Sequence, residues 1–183
     1  MPFTTYSADF VYQTPMMEHD LSVAPGRTHQ YYTGEPVVRF GFGLSLSNWS
    51  VASNADGNIS LPTDGSSQHT LSIKVTNHGP YTGDSVITAY LLPLKLPTQA
   101  ASKLKQKLWS FERASDVEVG ASATLDFVVS AEALALADLA SGDLVSVPGK
   151  YKLVFDSGNG VDMVALGLTI TGTQRVVEPF PKA

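Results

Sequence analysis

The 183-residue sequence contains no cysteine, which excludes thiol catalysis, disulfide bonds, zinc fingers and iron–sulfur ligation by cysteine. Charged residues are also scarce at 16%, and 12 Lys and Arg against 17 Asp and Glu give a net charge of −5. Because no basic stripe is present to neutralise phosphates, we expect no nucleic acid partner. No apolar run approaches the roughly 18 residues of a spanning helix, and no signal peptide is legible, so we expect no membrane partner.

Motifs for the common catalytic sites are missing as well. The sequence has no Gly-x-Ser-x-Gly elbow and no glycine-rich phosphate loop. Residues 156–162 lack the carboxylate spacing of a calcium loop, and no pair among His19, His29, His69 and His78 has metal-ligand spacing. The acidic residues are scattered over turns and polar faces, where solvation explains them. We therefore predict no catalytic residue, no metal and no cofactor in this chain.

Apolar and polar residues alternate in several short segments, which are separated by turns rich in glycine and proline. Such alternation predicts strands that bury one face. The predicted strands are residues 68–77, 84–92, 104–111, 123–129, 150–156 and 163–171. We expect antiparallel pairing between the first two and between the last two, because turn sequences join them. Residues 132–139, rich in Ala and Leu, predict one short helix-like crossing element.

The pattern as a whole predicts an all-β, immunoglobulin-like antiparallel β-sandwich with an extended N-terminal arm. We assign residues 1–47 to the arm, 48–172 to the sandwich and 173–183 to a polar tail. Within the arm, residues 27–32 and 36–40 predict a small hairpin around a glycine turn. The side chains expected in the sandwich core are Trp49, Leu71, Ile73, Val75, Phe127, Tyr151 and Leu153.

Aromatic residues concentrate in and just after the arm. Aromatic side chains of this kind anchor an interface or stack on sugar rings, and packing against a neighbouring domain is the preferred interpretation. The tripeptides that begin at Asn48 and Asn58 fit the N-glycosylation pattern, which favours export only for a eukaryotic source. The aromatic set is Tyr6, Phe10, Tyr12, Tyr31, Tyr32, Phe40, Phe42 and Trp49.

Residues 25–45 read PGRTHQYYTGEPVVRFGFGLS and resemble the linker of family 3 glycoside hydrolases, the β-glucosidases and β-xylosidases. Two positions depart from that pattern, because Arg39 stands where the family has Pro and Leu46 where it has Tyr. The resemblance continues through blocks at residues 75–79, 83–90, 108–113 and 148–151. The opening is most similar to the β-xylosidase and α-L-arabinofuranosidase branch.

The resemblance implies a C-terminal fibronectin type III-like domain, preceded by the exit from an α/β sandwich domain. The expected partners are that domain and the catalytic barrel, which carry the family's catalytic residues. The motif around Asp116 lacks the family's Trp, so no nucleophile is assigned there. We expect the chain alone to be inactive, and Arg27, Tyr31, Tyr32 and Phe40 to pack against the neighbouring domain. Members of the family are often secreted.

Two other functions remain open at this point. The first is a stand-alone carbohydrate-binding or adhesion module, in which Tyr31 or Tyr32 would contact a sugar ring. The second is a small enzyme, which would need a cleft with two carboxyl groups whose pKa values are pushed apart.

Overall fold

The computed structural model describes residues 2–43, 45–55, 57–96, 103–160 and 163–181. Over these residues the chain forms two four-residue helices and eleven strands, and the predicted all-β class is confirmed. The elements are α1 (Phe10–Gln13), α2 (Thr28–Tyr31), β1 (Trp49–Ser53), β2 (Asn58–Pro62), β3 (Gln68–Asn77), β4 (Gly83–Lys95), β5 (Lys107–Val117), β6 (Ser122–Ser130), β7 (Leu136–Ala137), β8 (Leu144–Ser146), β9 (Gly149–Asp156), β10 (Met163–Thr171) and β11 (Arg175–Glu178).

The larger of the two main sheets has five strands in the order β2-β10-β9-β4-β5. Strand β2 runs parallel to β10, and the other neighbours are antiparallel. The predicted hairpin of residues 150–156 and 163–171 is confirmed, with Met163 opposite Asp156 and Ile170 opposite Gly149. Every second residue of β9 is buried from Tyr151 onward, as alternation requires.

The smaller main sheet has three antiparallel strands in the order β1-β3-β6. Leu71, Ile73 and Val75 of β3 are buried, whereas the residues between them face outward. On the outer face, Ser72 Oγ donates to Asp126 Oδ1 at 2.6 Å, and this bond crosses from β3 to β6. The polar face of this sheet is therefore hydrogen-bonded within itself.

The two sheets enclose the hydrophobic core. At its centre Phe127 of the smaller sheet lies 5.0 Å from Phe155 of the larger one, with Trp109 of β5 about 6 Å from both rings. Edge-on ring contacts of this kind favour one packing arrangement. All seven predicted core residues are buried, at 5% exposure or less: Trp49, Leu71, Ile73, Val75, Phe127, Tyr151 and Leu153.

The predicted pairing of residues 68–77 with 84–92 is wrong. Strand β3 pairs with β1 and β6, whereas β4 pairs with β5 and β9, so the turn between them carries the chain from one sheet to the other. The amide of Asn77, fully buried, holds this crossing. Its Nδ2 donates to the carbonyls of Tyr81 and Val117, and its Oδ1 accepts the N–H of Gly79.

The helix-like prediction for residues 132–139 is also wrong. The chain makes turns up to residue 134 and then enters β7, which pairs with β8. Leu136 and Ala137 lie opposite Val145 and Leu144 of β8, so this part of the segment is extended and not helical. The segment expected to be a patternless tail contains β11, which pairs with β8.

Candidate docking surface

The arm, residues 2–43 of the described chain, folds back on itself instead of forming the predicted hairpin. Residues 28–31 are helical, and the partner of Val38 is Thr5, through a single antiparallel bridge. Gly26 has φ of 83°, and a Cβ there would lie 2.2 Å from the carbonyl oxygen of Tyr31. Because the helical turn packs so closely on the glycine, the extended prediction for residues 27–32 fails.

Arg27 holds the loop that precedes it. Its guanidinium donates to the carbonyl of Pro15 at 2.6 Å and to the carbonyl of Glu18 at 2.9 Å. These are bonds to carbonyls of the arm itself, and charged donors make the stronger bonds of this type. Arg27 therefore fixes the course of residues 15–18.

Tyr32 is buried at 6% exposure in a small aromatic cluster inside the arm. Its ring meets Tyr6 edge-on at 4.8 Å and Phe10 edge-on at 5.5 Å, while Tyr6 and Phe10 stack at 4.0 Å. The carbonyl oxygen of Tyr32 accepts a hydrogen bond from the ammonium of Lys105, which precedes β5. The aromatic cluster therefore forms a small core within the arm, and the hydrogen bond from Lys105 connects it to the sandwich.

Phe40 belongs to the joint between the arm and the larger sheet. Its ring stacks on His29 at 4.1 Å, and His29 lies 6.2 Å from Tyr90 of β4. Burial lowers the pKa of His29, because desolvation disfavours the charged imidazolium. Tyr31 points elsewhere, into a groove of about 650 Å³ shared with Leu104 and Leu136.

Four apolar side chains of the arm are exposed. Val11 is 63% exposed, Tyr12 88%, Met16 89% and Met17 78%, and we call these four residues the arm strip. A shallow hollow beside them is lined in part by the rings of Tyr6 and Phe10 and by Val11 and Met16. Apolar side chains that are exposed around one hollow in this way mark interaction sites.

The arm strip was not found by sequence reasoning, apart from Tyr12 as a member of the aromatic set. Arg27, Tyr32 and Phe40 make contacts within the chain that support the arm, and their packing against a neighbouring domain stays a prediction. The signal available in the sequence was the pair Met16 and Met17, two flexible apolar side chains in a segment with no alternation to bury them.

The described acidic side chains with shifted pKa values do not resemble a catalytic pair. The pKa values of Asp20, Asp64, Asp84 and Asp138 are all lowered, chiefly by hydrogen bonds to nearby serines or backbone amides. A general acid needs the opposite shift. Among the residues described, no group of three His, Asp or Glu side chains could hold a metal ion. Neither described helix has the length or apolar character to cross a bilayer.

Both candidate glycosylation residues are exposed. Asn48 lies just before β1, where its N–H donates to the carbonyl of Gly79 and its own carbonyl accepts the N–H of His78. Asn58 begins β2, opposite Gly167 of β10. Their modification stays a prediction.

Comparison with known proteins finds that the chain is similar to part of several glycosidases. Residues 86–157 match the family of fibronectin type III-like domains. The whole chain aligns with probable exo-1,4-β-xylosidases of Aspergillus flavus, at 31% identity over 197 residues, and of Aspergillus fumigatus, at 32% identity over 203 residues. The chain spans about a quarter of the length of these curated relatives, since it covers 25% of each.

Solved structures show the same fold. The β-glucosidase of Listeria innocua in complex with glucose superposes with a TM-score of 0.62 at 21% identity, over 80% of this chain and 19% of that one. The β-glucosidase of Kluyveromyces marxianus in complex with glucose gives a TM-score of 0.64 at 18% identity, over 80% and 16%.

The β-sandwich and the family match together define a fibronectin type III-like domain. More narrowly, the chain is similar to the fibronectin type III-like domains of family 3 glycoside hydrolases, as the motif blocks predict.

Proposed function

We propose that this chain is the accessory domain of a family 3 glycoside hydrolase that acts on β-glucosides or β-xylosides, and that it docks on the catalytic domains through the arm strip. The observation that carries the proposal is the alignment of the whole chain with one quarter of exo-1,4-β-xylosidases. The remaining three quarters of such an enzyme supply a partner surface. Catalysis belongs to that part, in keeping with the lowered pKa values of the shifted aspartates.

The arm strip suits docking because it is apolar and exposed, and because contacts within the arm fix the backbone that carries it. Tyr12 and Met16 together offer two large side chains that are almost wholly accessible. Beneath them, Arg27 fixes residues 15–18 and the ring cluster around Tyr32 fixes α1. Surface that is ordered before binding loses little conformational entropy on association.

The predicted packing residues have separate parts in this proposal. Arg27, Tyr32 and Phe40 keep the arm in shape, whereas Tyr31, half-buried in its groove, contacts the partner at the margin of the docking surface. The outer face of β3 and β6 takes no part, because its polar groups already bond to one another, as Ser72 does to Asp126.

The test uses the purified chain and the separately produced catalytic domains of a family 3 β-xylosidase. We expect no release of nitrophenol from aryl β-xyloside or β-glucoside by the chain alone. Added to the catalytic domains, the chain should raise their melting temperature or their activity in a saturable way. Activity of the chain alone, or no effect on the catalytic domains, would contradict the proposal.

A pair of variants locates the contact. The double change Tyr12→Ser and Met16→Ser should weaken binding to the catalytic domains at least about tenfold, since buried apolar anchors dominate interfaces. The matched control is Phe111→Ser with Val128→Ser, which removes two apolar side chains that are 65% and 51% exposed on the sandwich. Equal loss in both doubles would move the docking surface away from the arm.

A further inference from the structure

A cavity of about 310 Å³ lies where the arm meets the larger sheet. The arm lines it with His29, Arg39 and Phe40, and the sheet lines it with Tyr90 and Asp156. Aromatic rings and hydrogen-bonding groups therefore share one enclosure. Small-molecule sites combine apolar walls with a few placed polar groups in this way.

The charges in the cavity are balanced before any ligand arrives. Arg39 is paired with Glu35 at 3.2 Å, and both side chains line the cavity. The ammonium of Lys105 donates to the carbonyl of Tyr32, while Asp156 Oδ1 accepts the N–H groups of Gly158 and Gly160 at the hairpin turn. Two cations and two carboxylates leave no net charge for an ion to neutralise, which favours a neutral ligand.

Two buried polar atoms of the lining have no hydrogen-bond partner among the described residues. They are Thr4 Oγ1 and His29 Nε2. Buried polar atoms are almost always bonded, so each of these needs a partner from outside the chain. A hydroxyl group suits each of these atoms, because it can both donate and accept a hydrogen bond.

From these features we infer that the cavity binds one pyranose unit of a neutral saccharide. A pyranose has an apolar C–H face for an aromatic wall such as Phe40 and a rim of hydroxyls for Arg39, Glu35 and the unpartnered atoms. The volume lies at the lower end of ligand pockets, which suits a single ring better than a long chain. The site is distinct from the arm strip, and its test uses this chain alone, so the proposed docking function stands or falls separately.

The test is a titration of the ¹⁵N-labelled chain with methyl β-D-xylopyranoside and methyl β-D-glucopyranoside up to about 50 mM, followed by amide shifts. We expect saturable shifts confined to residues around the cavity, with a dissociation constant on the order of millimolar. Inorganic phosphate and glycerol serve as an anion and an acyclic polyol, and neither should reproduce the pattern. Shifts that are absent, unsaturable or located elsewhere would overturn the inference, as would equal shifts with phosphate or glycerol.

The variant Arg39→Gln should weaken saccharide binding about tenfold, because it removes charge-assisted hydrogen bonds from a side chain that is half exposed. Its matched control is Arg113→Gln, which removes another exposed, ion-paired arginine, bonded at 2.9 Å to Asp84 near the start of β4. The control should bind as the parent chain does. An unchanged affinity in Arg39→Gln, or equal loss in both variants, would refute the site.

Discussion

The arm and the sandwich reach order by different means. In the sandwich, strand ladders and a core that includes Phe127 and Phe155 support one another, so order is shared among many residues. In the arm, two single-turn helices and one bridge are held by a few separate anchors, such as Arg27 and Tyr32. The comparison teaches that the shape of the arm can be released while the sandwich stays folded.

The largest effect that sharpens this contrast should come from Phe127→Ala. The ring is 1% exposed and contacts Trp109 and Phe155, so truncation leaves a cavity at the centre of the core. We expect a loss of about 4 kcal/mol in the free energy of unfolding, measured in urea.

The neighbouring exposed residue provides the control for that measurement. Val128→Ala, at 51% exposure, should change stability by less than about 0.5 kcal/mol. A small effect of Phe127→Ala would show that the core is not the shared source of order that the comparison supposes.

A smaller and local effect should follow from Tyr32→Ala in the arm. Loss of the edge contacts to Tyr6 and Phe10 should cost the arm about 1–3 kcal/mol and speed hydrogen exchange and proteolysis there. The urea midpoint of the sandwich should hardly move. Tyr12→Ala, in the exposed arm strip, should leave both measurements unchanged, and a cooperative loss of the whole fold in Tyr32→Ala would erase the distinction between the two regions.

The smallest effect should be a pH dependence at the joint between them. Burial lowers the pKa of His29 below its ordinary value of 6.5, so the unfolded chain binds the proton more readily than the folded one. Stability of the joint is therefore full above pH 6.5 and falls as the pH drops towards the folded pKa.

The melting temperature should fall by about 2 °C more for the parent chain than for His29→Gln between pH 7 and pH 5. His19→Gln, at an exposed site, should behave as the parent; identical pH profiles for His29→Gln and the parent would exclude this account.

The sequence predicts the strands that can be recognised from their own residues, without knowledge of the strands they pair with. Alternation of apolar and polar residues is enough to predict β3, β6 and β9, because each of these strands buries one face. Strands β1 and β2 have five residues each and were not predicted, and they are held by pairing with β3 and β10.

Pairing and the arm required the fold itself. The choice of β5 and β9 as partners of β4 depends on a turn held by the buried amide of Asn77, a tertiary contact that no local pattern encodes. For the arm, composition revealed many aromatics but not which side chains they contact, so the rings that Tyr32 and Phe40 meet within the chain were not foreseen and Met16 was overlooked.

The parallel pairing of β2 with β10 has a mechanical consequence. Along the sequence, β2 lies near the start of the sandwich and β10 near its end. Five residues of β2, from Asn58 to Pro62, are in register with residues 167–171 of β10. Tension applied between the arm and the far end of the domain would pull parallel strands in opposite directions and load their hydrogen bonds together in shear. Strands loaded in this way must break as a set, so the sandwich should resist such tension instead of unzipping under it.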